Sequence, residues 1–214
     1  MLVGDRMNRP VISVSPDMPI NEALNLMKRE HIRRTPVVHN GKLIGIISDK
    51  DLLNASPSPA TSLSVWEMNY LLSKITVKDV MTRKVLSVSE DTPIEEAARI
   101  MADNKIGGMP VLNKEGKVVG IITETDLFKI FLELMGAREN GVRATVIIQE
   151  KPGQLAQLTK AIADLGGNFV AFGQFAGENV SNRLLTFKVS GLKQDKVIEI
   201  VKQVAEKVID VRTV

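Results

Sequence analysis

The 214-residue chain contains no cysteine, so it forms no disulfide bond and offers no thiolate for catalysis or for holding a metal. Aromatic residues make up only 4% of the sequence, which predicts cores built from Val, Ile, Leu, Ala and Met. No stretch approaches the ~18 consecutive apolar residues of a membrane-spanning helix, and the N-terminal segment lacks a continuous apolar signal core. These absences together predict a cytoplasmic protein that does not cross a membrane.

An excess of charge of either sign is also missing. The formal net charge is +3, and the Lys and Arg residues are scattered rather than grouped. A DNA-binding protein concentrates positive charge where it meets the phosphate backbone, and no helix-turn-helix segment is recognisable, so we expect no nucleic-acid partner. The chain has neither a GxxxxGK[ST] loop nor an HExxH motif, which favours a protein that is not an enzyme and has no catalytic or metal-binding residues.

What the sequence does contain is an internal repeat. Residues 3–53 recur as residues 77–128 at an offset of 74, which becomes 75 after one additional residue near Lys114. The segment GIISDKDLL in the first copy returns as GIITETDLF in the second. The two ranges align along their whole length with only one insertion, which indicates a duplicated structural unit.

Each copy shows the same order of predicted elements. In the first copy, PVISVS (residues 10–15) predicts a strand, and INEALNLMKREH (residues 20–31) predicts an amphipathic helix with Asp17 as its cap. Two apolar runs around Asn40–Gly41 predict a hairpin, and DKDLLNA (residues 49–55) predicts a second helix. One strand-helix-strand-strand-helix unit is too small to bury its apolar sheet face, whereas two packed units would bury it.

The segments PVISVS, EALNLM, IRRTPVV and GIISDKDL resemble the cystathionine-β-synthase (CBS) domain, and their recurrence resembles a tandem CBS pair, or Bateman module. The resemblance implies a first repeat over residues 1–54, a linker over 55–76 and a second repeat over 77–135. It also implies regulatory binding of AMP, ADP, ATP or S-adenosylmethionine in clefts between the two repeats.

A hydroxyl three residues before an aspartate occurs in both copies, as Ser48 with Asp51 and as Thr123 with Asp126. An ionised carboxylate accepts hydrogen bonds only, so it suits the two neighbouring hydroxyl donors of a ribose, while the Ser or Thr hydroxyl could reach the ribose or a phosphate. The same pair of residues is also an ordinary helix cap, and both interpretations stand at this stage.

The resemblance assigns two sites by position. The first site combines Ser48, Asp51 and Arg34 with Leu86, Ile106 and Gly107. The second site combines Thr123 and Asp126 with Ile12, Ile32 and Arg33. Because Gly108 stands where the first copy has Arg34, we expect the first site to bind phosphates better; the alternative is that Arg33 and Arg34 form a solvated basic turn.

The linker contains a loop-forming segment, SPSPATS, and then SVWEMNYLLSK (residues 64–74), which predicts a short helix. This helix holds Trp66, Tyr70 and Leu71 on one side, for packing between the repeats, for a dimer contact or for a ligand lid. The linker resembles that of bacterial acetoin-utilisation B-type proteins, which implies a role in acetoin utilisation.

From Val142 onward the pattern predicts strand, helix, strand, strand, helix and strand, the ferredoxin-like βαββαβ arrangement. The segment EKPGQL and the later Gly167–Asn168 resemble the D-x-P-G-x-L and G-x-N signatures of ACT domains, with Glu150 in place of the usual Asp. The resemblance places this domain at residues 141–214 and implies pairing of copies and an amino-acid ligand. The implied ligand residues are Pro152, Gly153, Gln154, Leu155 and Asn168; the alternative is a tight turn in a domain that only dimerises.

The predicted fold class is therefore α/β and α+β, with a tandem CBS pair of β-α-β-β-α units followed by a ferredoxin-like ACT domain. The leading functional hypothesis is a homodimeric regulatory sensor of an adenine nucleotide. The alternative is a non-catalytic dimeric scaffold that binds no nucleotide.

Overall fold

The computed structural model describes residues 1–55, 64, 70 and 74–214. The helix predicted over residues 64–74, with Trp66 and Leu71, lies almost wholly outside the described residues. The chain divides into two compact units, Met1–Leu127 and Phe128–Val214. In the described part of the chain, no helix is both long and apolar enough to cross a membrane.

Short helices and strands build the first unit. Its helices are α1 (Val3–Arg6), α2 (Ile20–Arg29), α3 (Asp49–Asn54), α4 (Val77–Val80) and α5 (Ile94–Asn104), and α6 (Glu124–Leu134) runs past its end. Its strands are β1 (Arg34–His39), β2 (Lys42–Ser48), β3 (Val88–Ser89), β4 (Gly108–Leu112) and β5 (Val118–Thr123). The predicted hairpin is confirmed: β1 and β2 pair antiparallel around Asn40 and Gly41, whose φ angles of 49° and 77° suit a two-residue turn. In the second copy, β3 pairs parallel to β4, and β4 pairs antiparallel to β5.

The strand predicted over residues 10–15 is wrong except at one residue. Only Val14 forms a bridge, parallel to Val37, with its N–H donating to the Pro36 carbonyl and its own carbonyl accepting from Val38. Pro10 and Pro16 bracket the segment, and a proline has no N–H to add to a ladder. The segment is therefore extended without becoming a full strand.

The predicted cap of α2 is also wrong. Pro19 occupies the N-cap position, and no side chain caps the helix there. Asp17 instead accepts a hydrogen bond from the Lys78 ammonium at 2.7 Å. A local sequence pattern could not reveal this partner, because Lys78 lies in the other repeat.

The two repeats exchange their first turns. Val77 and Met81, which begin the second repeat, are buried in the core of the first repeat with Val37 and Ile47. Reciprocally, Val3 and Met7 are buried in the core of the second repeat. The partners in that second core are Val88, Ala97, Met101, Met109, Val111 and Ile122. Each repeat is thus completed by residues from the other, which is why a single copy could not bury its apolar face.

Glycine makes this exchange sterically feasible at two equivalent positions. A β-carbon on Gly120 would overlap Met7, approaching its Cγ to 2.9 Å, and one on Gly45 would overlap Met81 in the same way. The exchanged methionines therefore lie directly on the backbone of β2 and β5.

The second unit contains β6 (Val142–Gln149), α7 (Gln154–Asp164), β7 (Asn168–Ala176), β8 (Asn182–Ser190), α8 (Gln194–Val204) and β9 (Lys207–Thr213). The strands form one antiparallel sheet in the order β7-β8-β6-β9. Alternate residues of β6 and β8 pack with apolar residues of both helices, including Leu158, Ile162 and Val197. The βαββαβ prediction and the mixed fold class are confirmed.

Candidate functional site

The turn from β2 into α3 positions the first predicted pair. Ser48 is the N-cap of α3, and its Oγ accepts a hydrogen bond from the Asp51 N–H at 3.2 Å. Asp51 reaches back in return: its Oδ2 accepts from the Ser48 N–H at 2.8 Å and from the Ser48 hydroxyl at 2.7 Å. This reciprocal arrangement is a capping box, so the capping interpretation of the pair is confirmed.

Capping engages only one of the two carboxylate oxygens of Asp51. Every hydrogen bond to the Asp51 side chain within the described residues goes to Oδ2, and Oδ1 has no donor. Because a carboxylate oxygen has two lone pairs, Asp51 retains the capacity to accept hydrogen bonds from hydroxyl groups. Helix capping and ligand binding are therefore compatible in this residue.

All six residues assigned to the first site line one cavity of about 250 Å³ in the first unit. The cavity is bounded by Arg34, Ser48 and Asp51 from the first repeat and by Leu86, Ile106 and Gly107 from the second. Further lining residues are Ile46, Ile47, Thr82, Lys84, Val85 and Gly108. The lining thus combines apolar side chains and backbone with a carboxylate and two cations.

Arg34 lies directly against the glycine pair of the other repeat. A β-carbon on Gly107 would lie 2.6 Å from Nη1 and 2.8 Å from Cζ of the Arg34 guanidinium, and one on Gly108 would lie 3.1 Å from its Cδ. Burial lowers the pKa of Arg34, while the carboxylates of Glu124, Asp49 and Asp51 act in the opposite direction. The guanidinium remains a cation, and any side chain at position 107 would displace it.

The second pair repeats the hydrogen bonds from the hydroxyl residue to the aspartate, but its aspartate is more deeply buried and has an additional donor. Asp126 Oδ2 accepts from the Thr123 N–H at 3.0 Å and from its hydroxyl at 2.6 Å. A third donor is Asn8 Nδ2, at 2.7 Å, and Asp126 is only 5% exposed. At the position equivalent to Asn8 the first site has Thr82, which lines the cavity and donates no side-chain hydrogen bond to Asp51.

The remaining residues of the second site are engaged in other contacts. Arg33 Nη2 donates to the Thr125 hydroxyl at 3.2 Å, and the Ile12 carbonyl accepts from the buried Thr35 hydroxyl at 2.5 Å. Ile12 and Ile32 are half-buried. The two sites are therefore unequal, and the first is the more open at its aspartate.

In the second unit, four of the predicted ligand residues, Pro152 to Leu155, lie at the start of α7, whereas Asn168 follows the turn after the end of that helix. Gly153 is the N-cap with a φ of 86°, a conformation that favours glycine, and Pro152, Leu155 and Asn168 are exposed. Gln154 is buried, its Nε2 donates to the Val204 carbonyl at 2.8 Å, and its Oε1 has no partner within the described residues. In that same part of the chain, no three His, Asp or Glu residues cluster as metal ligands would.

Two residues that line the first cavity were missed by sequence reasoning. Lys84 is the first residue of the segment in the second repeat that corresponds to PVISVS, and Thr82 lies two residues before it. The signal that could have found them is the repeat itself, because they align with Pro10 and Asn8. A position where one copy has a cation and the other has proline differs in chemistry, not only in packing.

Comparison with known protein families agrees with this architecture. The CBS domain model matches residues 3–58 and 77–133, more than half of the chain. The model of the TTHA0829-like ACT domain matches residues 140–212. The chain belongs to the CBS-domain family and joins a tandem CBS pair to a C-terminal ACT domain.

Solved structures similar to this chain contain a CBS pair. The CBS domain pair of protein MJ0100, in complex with 5′-methylthioadenosine and S-adenosyl-L-methionine, is 31% identical, with a TM-score of 0.52 over 65% of this chain and 98% of that one. CBSX2 of Arabidopsis thaliana, in complex with AMP, is also 31% identical, with a TM-score of 0.50 over 61% and 96%. A putative acetoin utilization protein from Vibrio cholerae is 33% identical, with a TM-score of 0.53 over 64% and 95%.

Proposed function

We propose that this protein is a non-catalytic regulatory sensor that binds an adenosine-containing ligand in the cavity beside Asp51. The ribose hydroxyls would donate to the Asp51 carboxylate, and the adenine would lie against Leu86, Ile106 and the backbone of Gly107. The supporting observation is that one cavity brings together an open carboxylate oxygen, an apolar wall and a cation. Adenosine compounds bound by similar CBS pairs support the ligand class.

Sensing requires more than binding. A ligand shifts a conformational equilibrium only when it binds one arrangement better than another. The cavity is lined by both repeats, so a ligand that contacts both walls would favour the arrangement in which they are correctly spaced. This coupling is the proposed source of regulation.

The second unit extends the proposal. We assign it homodimerisation and binding of an amino acid near Gly153 and Gln154, in a cytoplasmic protein. The exposed start of α7 favours a carboxylate, and the orphaned Gln154 Oε1 would accept a hydrogen bond from an ammonium group. A role in acetoin utilisation has support only from the name of the similar Vibrio cholerae protein.

Isothermal titration of ligand-free protein with AMP, ADP, ATP, S-adenosylmethionine and 5′-methylthioadenosine tests the central proposal. At least one compound is expected to bind, and Asp51→Asn is expected to weaken it by about tenfold or more. The Asn carbonyl can still cap α3 through Ser48, but its amide group presents donors where the ribose requires an acceptor.

Asp126→Asn is the matched control, since it makes the same change at the equivalent cap. It is expected to leave binding at the Asp51 cavity unaltered. Absence of heat with every compound would support the alternative, a dimeric scaffold in which Asp51 serves only as a cap. Loss of binding in Asp126→Asn, with binding retained in Asp51→Asn, would show that the ligand binds at Asp126 instead.

A further inference from the structure

Two cations line the Asp51 cavity without an ion pair at contact distance. Neither the Arg34 guanidinium nor the Lys84 ammonium makes an ion pair or a hydrogen bond within the described part of the chain. Arg34 is half-buried and Lys84 is exposed. The carboxylates of Glu124, Asp49 and Asp51 act on Arg34 only through space, so both cations can still donate hydrogen bonds to an anionic ligand.

The second site lacks both charges at the equivalent positions, and its own cation, Arg33, stands where the first site has Gly107. Arg34 aligns with Gly108, and Lys84 aligns with Pro10. The rest of the cavity is closely matched between the copies, because Ser48, Asp51 and Leu86 align with Thr123, Asp126 and Ile12, respectively. The two sites therefore share the residues that the repeated fold uses and differ in their cations. Because the fold forms without those cations at the second site, we relate them to ligand binding rather than to folding.

The burial of the Arg34 guanidinium also favours an anionic ligand. Its pKa is lowered chiefly by burial, so the guanidinium has lost hydration. The nearby carboxylates, Glu124 foremost, act in the opposite direction, while the charge of Arg33 adds to the lowering. Phosphate oxygens would provide charge-assisted hydrogen bonds to both cations, whereas a neutral thioether or a positively charged sulfonium would provide none.

We infer that Lys84, together with Arg34, makes this cavity selective for phosphate-bearing adenosine compounds over neutral and cationic ones. This inference rests on the proposed function and names the ligand class of the same site. Lys84 acts as the specificity-determining residue, since Arg34 also packs on Gly107 and thus has a structural role. The expected order of affinity is ADP and ATP first, then AMP, with adenosine, 5′-methylthioadenosine and S-adenosylmethionine weakest.

Titrations of the full chain with ADP and with adenosine, at one ionic strength, test the inference. Lys84→Met is expected to weaken ADP about tenfold and to leave adenosine within about twofold, because only the phosphates meet the ammonium. Lys84→Arg is expected to retain the preference for ADP. Lys42→Met, an exposed lysine that does not line the cavity, removes the same charge and controls for the net charge of the protein.

Two outcomes would overturn the inference while leaving the proposed function intact. One is that adenosine binds the wild-type protein as tightly as ADP does. The other is that Lys84→Met weakens ADP and adenosine equally, which would make Lys84 a general contact. Failure of every adenosine compound to bind would instead overturn the proposed function itself.

Discussion

Lys188 shows how much a single buried charge can organise. It lies on β8, is only 5% exposed, and its ammonium donates to the Gly136 carbonyl at 2.7 Å and to the Glu139 carbonyl at 2.8 Å. These carbonyls belong to the turn that follows α6. One side chain thus fixes that turn against the sheet of the second unit.

Replacement of Lys188 with Met should lower the free energy of unfolding by about 2–3 kcal/mol, because the Glu139 carbonyl loses its donor and the Gly136 carbonyl keeps only the Glu139 N–H, while the volume is nearly kept. Urea denaturation measures the effect. Lys193→Met is the control, since Lys193 is exposed and its side chain makes no hydrogen bond or ion pair in the described residues. An equal, small change in both variants would refute the role given to Lys188.

The sequence predicted some residues of the candidate site and missed others. Ser48 and Asp51 were found because their motif is local and occurs twice. Lys84 was not found, because its place in the cavity depends on how the first repeat packs against it. The engagement of Asp126 by Asn8, 118 positions away, was equally beyond a local pattern.

The capping box found at the start of α3 occurs again at the start of α4. At α4, Asp79 Oδ2 accepts from the Thr76 N–H at 2.9 Å and from its hydroxyl at 2.7 Å. The hydrogen bond from the Thr76 hydroxyl, and then that from its backbone, lowers the pKa of Asp79 below the ordinary 3.8. The ionised form of this carboxylate therefore stabilises the start of α4.

This shift predicts acid sensitivity with a definite sign. The unfolded chain takes up the proton first, so the contribution of Asp79 is complete above about pH 5 and is lost as pH falls through the folded-state pKa. The melting temperature of Asp79→Asn should lie below that of wild type at pH 7, and the gap should close toward pH 3. A gap that is the same at both pH values would contradict the prediction.

Elements were predictable where the apolar pattern was strong and local. Helix α2 and the β1–β2 hairpin follow from period 3.6 and from the Asn40–Gly41 turn. The PVISVS strand failed because a sequence indicates extended backbone but not whether a neighbouring strand pairs with it. At Val14 alone, β1 supplies that partner.

For the whole molecule, the exchanged first turns make the two repeats interdependent. Met7→Ala should loosen β4 and β5, and Met81→Ala should loosen β1 and β2, although each mutation lies in the opposite repeat. Each should cost about 2–5 kcal/mol, the usual range for truncating a buried methionine. Hydrogen exchange of peptides from the four strands, compared between these two matched variants, measures the crossover.

The result that would disprove the crossover is faster exchange in the strands of the mutated repeat itself. The sequence predicted that the repeats must pack together to bury their sheets. It did not predict the exchange, since residues 3–9 and 77–83 align with each other and show nothing of which core receives them.

The exchange also sets the order of events during synthesis. Val3 and Met7 are made long before Met109 and Ile122, and they have no core to enter until those residues leave the ribosome. The first repeat, likewise, waits for Val77 and Met81 before its own interior can close. We therefore expect the nascent first repeat to stay incomplete, and the first unit to reach its native state in one late step rather than repeat by repeat.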